Sequence, residues 1–184
     1  ADVARLDRCW TESHLAADAD ALDATWLAAQ DASTLATMAL RPHPAARWHH
    51  SPAHPAFALW QAHRNGLALP ADIAWQGDGG LLTRPQGAVQ WTALPAAGTA
   101  FLNACARGDR LETAALAALA AEPGADLSAL MALLLHAGAL AQAWQQLSAA
   151  HRQEPELLAV YAERLRVLGA EPAAEELLHA ALKR

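Results

Sequence analysis

Four histidines lie close together in the first half of the chain, at positions 43, 49, 50 and 54, with Trp48 among them. Imidazole is a common ligand for copper, zinc and iron, so histidines at this density could hold a metal ion. However, the segment has no cysteine or carboxylate of its own, and its prolines separate the side chains. We therefore expect no metal site and interpret the segment as a solvated or partner-facing loop. The residues predicted to dock a partner protein are His43, Trp48, His49, His50 and Trp60.

The sequence carries none of the short motifs that mark common active sites. It has no phosphate-binding G-x-x-x-x-G-K-[ST], no G-x-G-x-x-G, no H-E-x-x-H and no G-x-S-x-G. Cys9 and Cys105 are far apart and lie in apolar helical surroundings, as is typical of buried thiols in a reducing compartment. We therefore expect no catalytic residue, no cofactor and no enzymatic activity.

Composition favours helices and disfavours a membrane protein. Hydrophobic residues make up 54% of the chain and many are alanine, the best helix former. No apolar run approaches the roughly 18 residues needed to span a bilayer, and the sequence shows no signal peptide. The sequence therefore predicts a cytoplasmic protein with no membrane partner.

Charge argues against nucleic acid as the partner. The formal net charge is −6, whereas proteins that bind phosphate backbones usually show a basic surface. Between residues 73 and 138 there are three arginines against five carboxylates, and residues 126–138 contain no arginine or lysine. A helix without such residues is poorly suited to reading base edges.

Helical and extended segments alternate in the first seventy residues. Apolar spacing predicts helices over 2–17 and 21–30. Several prolines then predict short extended pieces around 35–41 and 45–50. A further helix is expected to begin at Pro55 and to end near Arg64.

The centre of the chain has the pattern of a β-meander. Residues 81–84 and 89–94 are predicted strands, joined by a turn at Pro85–Gly87. Gly77–Gly80 is interpreted as a turn, and Ile73–Trp75 as a possible third strand.

Three helices are predicted after the meander. The first begins at Pro95 and ends at Gly108, and the second ends at Pro123-Gly124. The third is capped by Asp126 and ends at Gly138. In the tail, Ala143, Leu147 and Ala150 recur 31 residues later as Ala174, Leu178 and Ala181. That spacing predicts helix-hairpin repeats of the tetratricopeptide kind.

The segments GLLTRP, VQW and the three helices after them resemble the winged-helix-like modules that bind leader peptides of ribosomally made, modified peptides. The upstream patterns LRPHPAARW and FALWQAHR resemble the HvfC/BufC family, often labelled a putative DNA-binding domain, over roughly residues 1–140. That family accompanies iron-dependent enzymes of the MbnB/HvfB type, which form copper-binding groups on bacterial peptides. It normally has a further helical domain upstream, which we expect to be missing here. The tail is more similar to the tetratricopeptide portion of HemY-type proteins.

Together, the sequence patterns predict an α+β, mainly helical fold divided into residues 1–70, 71–140 and 141–184, and the resemblance supports the first two parts. The resemblance implies an accessory subunit that binds a precursor peptide and joins an iron enzyme in a hetero-oligomer. A peptide added to an open strand edge would lie against the third predicted helix. The residues predicted to bind it are Val89, Gln90, Trp91, Thr92, Leu130, Leu133 and Leu134. Two alternatives stay open, a DNA-binding regulator and a scaffold that binds proteins through its tail.

Overall fold

Helices cover both faces of a small antiparallel sheet in this computed structural model, which describes residues 1–69 and 73–141. Those residues belong to one compact unit, and the fold is α+β and mainly helical, as predicted. The helices are α1 Asp2–Leu15, α2 Ala24–Ala28, α3 Ala32–Thr37, α4 Ala56–Arg64, α5 Ala96–Arg107, α6 Leu111–Ala121 and α7 Leu127–His136. The strands are β1 Arg41–Pro42, β2 Arg47–Ser51, β3 Asp78–Thr83, β4 Gln90–Ala93 and β5 Leu140–Ala141. The predicted tail repeats lie outside the described residues.

The main sheet has the strand order β2-β3-β4 with antiparallel neighbours. Leu81, in the central strand, lies opposite Trp48 on one side and Thr92 on the other. The prediction of a third strand at Ile73–Trp75 is therefore wrong, because β2 takes that place and residues 73–75 belong to no strand. The pairing joins segments on both sides of residue 70, and local sequence does not encode such a distant partner.

The two faces of β3 belong to different hydrophobic clusters, because successive strand residues point in opposite directions. Leu81 lies in the cluster formed with α5, α6 and α7. Leu82 lies in the cluster formed with Leu6 of α1 and with Phe57 and Trp60 of α4. Since both leucines are fully buried, the sheet is covered on both sides at this point.

Gly79 and Gly80 are strand residues rather than part of the predicted turn. A Cβ atom at position 80 would lie 2.1 Å from Phe57 Cδ2, and one at position 79 would lie 2.7 Å from the Leu94 carbonyl oxygen. These glycines therefore allow α4 and the end of the hairpin to approach the sheet backbone closely.

Capping side chains determine where several helices begin. Asp126 accepts the backbone N–H groups of Ser128 and Ala129, which confirms the predicted start of α7. Asp31 likewise accepts the N–H of Thr34 at 2.8 Å and begins α3. The prediction of an extended piece from residue 35 is therefore wrong up to residue 37.

Contacts between distant segments hold the ends of the described unit in place. Arg84, after β3, donates to the carbonyl oxygens of Ser13 and Ala16 at the C-terminal end of α1. At the other end, β5 pairs with β1, and the N–H of Leu22 donates to the Leu140 carbonyl at 2.9 Å. Residues from both predicted N-terminal and central segments thus share one core.

Candidate functional site

The outer edge of β4 carries backbone groups that point away from the sheet. The N–H of Leu94 donates to the Gly79 carbonyl at 2.9 Å. In an antiparallel pair, residues alternate between facing the neighbouring strand and facing away from it. Thr92 therefore faces β3, whereas the N–H and C=O groups of Trp91 and Ala93 point outward. Among the described residues, no strand lies beyond β4. We call these outward groups the β4 edge.

The four strand residues predicted to bind a peptide are divided between the two faces of the sheet. Val89 and Trp91 pack with the cluster that contains Leu82. Gln90 and Thr92 lie opposite Thr83 and Leu81, so their side chains point to the other face. An added strand would meet both sets, because its own side chains also alternate.

The two ends of helix α7 lie near the two ends of the hairpin, and its buried leucines belong to the same cluster as Leu81. A Cβ atom at Gly98 would contact Leu94, at the end of β4, and Leu130, near the start of α7. At the other end of the helix, a Cβ atom at Gly138 would lie 3.1 Å from Cβ of Pro85, in the turn before β4. The helix therefore runs in the direction opposite to β4.

The leucines of α7 are less exposed to a bound peptide than the sequence suggested. Leu134 is fully buried and Leu130 is nearly so, and both belong to the core. These two predicted binding residues must therefore be reassigned to packing. Leu133 is half-buried and is the one of the three with part of its side chain at the surface.

Three tryptophans and an arginine cover the opposite face, in a group that the sequence did not reveal. Trp60 meets Trp91 edge to face at 5.3 Å between ring centroids. The Arg64 guanidinium lies 4.1 Å from the centroid of Trp10 and 5.6 Å from that of Trp60. We call Trp10, Trp60, Trp91 and Arg64 the tryptophan cluster. The i, i+4 spacing of Trp60 and Arg64 was a usable signal, but the tertiary contacts were not.

Two residues of the predicted docking segment are buried. His43 is 5% exposed and bridges two loops, since its Nδ1 accepts the Ala45 N–H and its Nε2 therefore donates to the Ala19 carbonyl. Trp60 is 1% exposed and donates from Nε1 to Asp7 Oδ1 at 2.8 Å. The expectation that these two side chains face a partner is corrected, because both rings are held inside the fold.

The other three residues of that segment lie on β2. Trp48 donates from Nε1 to Asn103 Oδ1 at 2.9 Å. His50 packs against Gly79, and its buried Nδ1 has no hydrogen-bond partner among the described residues. All three side chains, His49 included, are half-buried.

Asp2, His49 and Ser51 come together but are not arranged as a catalytic triad. The Asp2 carboxylate contacts both His49 Nε2 (3.1 Å) and Ser51 Oγ (3.4 Å). A nucleophilic serine instead needs the imidazole at its own hydroxyl group. The hydrogen bond from His49 holds the pKa of Asp2 below its usual range, as expected for a carboxylate that accepts hydrogen bonds in the fold.

The described part of the chain offers no evident metal centre. Within residues 1–69 and 73–141, no three His, Cys, Asp or Glu side chains come close enough to hold an ion together. Burial is the main cause that raises the pKa of both thiols, that of Cys105 to about 12. Both therefore stay protonated near neutral pH, the form that is a poor metal ligand and nucleophile.

Two of the three arginines in residues 73–138 already have partners in the fold. Arg84 is bound to the end of α1 and to Asp18, and Arg107 forms an ion pair with Asp109. Near Leu94, Glu122 accepts the Ala97 N–H, and Asp126 caps α7, whose Leu130 lies close to Gly98 as Leu94 does. This chemistry is unfavourable for phosphate groups and favourable for cationic ones.

Comparisons with protein-family models, curated proteins and solved structures found no match for this chain. Among the described helices, none has both the length and the apolar character needed to cross a bilayer.

Proposed function

We propose that this protein is a non-catalytic binding subunit that takes an extended peptide along the β4 edge. The observation that carries the proposal is the outward orientation of the backbone groups of Trp91 and Ala93 on the unpaired side of β4. An extended peptide presents N–H and C=O groups at the spacing of a strand, so it matches this edge without any change in the sheet. Each backbone hydrogen bond formed in this way contributes roughly 0.5–1.5 kcal/mol.

The resemblance to the HvfC/BufC family extends this proposal to a particular setting. There the ligand is a ribosomally made precursor peptide, and an iron-dependent enzyme bound to this subunit carries out the modification. The two edges of the sheet are compatible with such a division of roles. Trp48, His49 and His50 lie on β2, at the edge opposite to β4, so an enzyme docked there would leave the β4 edge open to the peptide.

Proline at position 93 tests the peptide site directly. Ala93→Pro removes the outward N–H while the bonds of Thr92 and Leu94 to β3 remain, because proline is tolerated where its missing N–H faces solvent. The probe is the precursor peptide encoded beside the gene for this chain, titrated by calorimetry. We expect Ala93→Pro to weaken binding about tenfold or more, from one lost hydrogen bond and the bulk of the ring.

The matched control places the same ring elsewhere. Ala17→Pro lies in an exposed position after α1, where Ala16 already has the extended backbone (ψ 155°) that a following proline requires. Binding should be unchanged in this variant. Equal affinity of wild type and Ala93→Pro, or no binding by either, would contradict the proposal.

A further inference from the structure

The β4 edge has a different chemical character on each side and at each end, and this character indicates which peptides it accepts. Because Trp91 and Ala93 face outward, the peptide residues paired with them would place their side chains on the same face of the sheet as Trp91. The residue between those two would lie on the face of Thr92 and α7. Trp91 and Ala93 therefore determine which ligand side chains can pack on the Trp91 face of the sheet.

Trp91 is a supported aromatic surface next to a small, exposed residue. Its ring is half-buried and packs edge to face against the buried Trp60, so it is already held in position before a ligand binds. Its neighbour on the same face, Ala93, is exposed and small. Aromatic pairs across strands are favourable beyond the area that they bury, and the short side chain of Ala93 leaves room for a second ring.

The end of the edge near Leu94 is acidic. Glu122 lies at the start of α5 through its contact with Ala97, and Asp126 caps α7. From residue 111 to residue 136 there is no arginine or lysine to balance them. On the other face, Arg64 already occupies the rings of Trp10 and Trp60. The rings of Trp10 and Trp60 thus already bind a cation, and a basic side chain of the ligand is attracted to the Leu94 end instead.

We infer that the β4 edge selects basic peptides with an aromatic residue, the aromatic side chain packing on Trp91 and a lysine or arginine lying near Glu122 and Asp126. This inference rests on the proposed function, since it assumes that a peptide adds to β4. The inference goes beyond the proposed function by naming the class of peptide. The basic residues lie at the Leu94 end whichever direction the peptide runs, because both carboxylates belong to the loop between α6 and α7.

A displayed library of random peptides, selected on the full chain, tests the inference. Parallel selection on Ala93→Pro identifies the peptides that need the outward N–H. We expect those peptides to share an aromatic residue at alternate positions and a lysine or arginine toward one end. Synthetic versions of an enriched peptide, with the aromatic residue replaced by threonine or the basic residue by glutamine, are then titrated. Each replacement should weaken binding about fivefold.

A charge-neutral variant of the protein locates the basic residue. Asp126→Asn keeps a good helix cap and Glu122→Gln keeps an acceptor, so the double variant removes charge with little effect on folding. It should lose the preference for the basic peptide over its glutamine version, a preference that salt should also weaken.

The outcomes separate this inference from the proposed function. Peptides that depend on the Ala93 N–H but show no aromatic or basic preference, or a preference that survives in the double variant, overturn the inference and leave edge binding intact. If the selection enriches no peptides, or only peptides that bind Ala93→Pro equally well, both are wrong.

Discussion

The carboxylate of Asp78, the first residue of β3, accepts the backbone N–H of Phe57 in the first turn of α4, with 2.9 Å between Oδ1 and N. Its second oxygen accepts the N–H of Ala58 at 2.8 Å. Two N–H groups that α4 leaves without a helical partner are thus bound by a side chain from the sheet. Asp78 thereby joins α4 to the central strand of the sheet.

Replacing Asp78 should destabilise the fold by an amount that depends on how many hydrogen bonds the new side chain can accept. Asp78→Ala leaves both N–H groups unpaired, and we expect the free energy of unfolding to fall by about 1–2 kcal/mol. Asp78→Asn retains one acceptor oxygen and should lose about half as much. Urea denaturation of both variants measures the difference, and an equal loss in the two would show that the cap is not the cause.

A methyl group at Gly80 should be far more costly than one at Gly124. In Gly80→Ala the new Cβ would overlap the Phe57 ring, so α4 must move away from the sheet, at a cost of about 1–3 kcal/mol. At Gly124 nothing lies within 4 Å of the added atom, and the change should stay within about 0.5 kcal/mol. Thermal unfolding of the pair tests this, and similar melting temperatures would contradict it.

The phase of the β4 ladder predicts unequal losses of stability from proline at adjacent positions. Thr92→Pro removes an N–H that bonds to β3 and should cost about 3 kcal/mol or more. Ala93→Pro removes an N–H that faces outward, so the cost should be below about 1 kcal/mol. Denaturation curves of the two variants check the assignment, which would be wrong if Ala93→Pro were the more damaging change.

Two histidines of the same segment should respond differently to replacement by alanine. His43→Ala removes both hydrogen bonds of a buried ring and should lower the free energy of unfolding by about 1–3 kcal/mol. His54 is exposed, so His54→Ala should change it by less than about 0.5 kcal/mol. Chemical denaturation at neutral pH distinguishes them, and equal stability of the two variants would contradict the buried position of His43.

Cys105 should make the fold less stable in alkali. Burial, and secondarily Asp109, raise its pKa to about 12, whereas an unfolded thiol titrates near pH 8.5. Between about pH 9 and 12 the unfolded chain therefore binds fewer protons, and stability falls by about 1.4 kcal/mol per pH unit from this group. Below about pH 8 the Cys105 thiol causes no pH dependence of stability, because it is protonated in both the folded and the unfolded chain.

Comparison with Cys105→Ala isolates that contribution. Urea unfolding at about pH 8 and about pH 10 should give a steeper loss for wild type than for the variant. Equal slopes would show that the thiol is accessible in the folded state.

Local patterns predicted the parts of the fold that local forces determine. The hairpin of β3 and β4 and the start of α7 at Asp126 follow from a turn and a cap, each encoded within a few residues. The segment at Asp31 has the same kind of cap, but the prolines that follow it favoured an extended structure. The prediction from residue 35 was therefore wrong up to residue 37.

The third strand of the sheet comes from pairing between segments that are far apart in sequence. The burial of His43 and Trp60 likewise depends on contacts with residues that are distant in sequence. Neither leaves a periodic signal. The same limit applies to the candidate site. Sequence located β4 as the edge, but which of its residues face outward depends on its pairing with β3, as the bond from the Leu94 N–H to the Gly79 carbonyl shows. The tryptophan cluster depends on tertiary contacts.

The place of β2 in the sheet also determines an order of events during synthesis. β2 leaves the ribosome before β3, with the whole of α4 between them, so its pairing groups have no partner until the hairpin has formed. Closing that long loop carries more entropic cost than forming the hairpin. The hairpin should therefore form first and recruit β2 afterwards, and during that interval the edge of β3 is open to other strands.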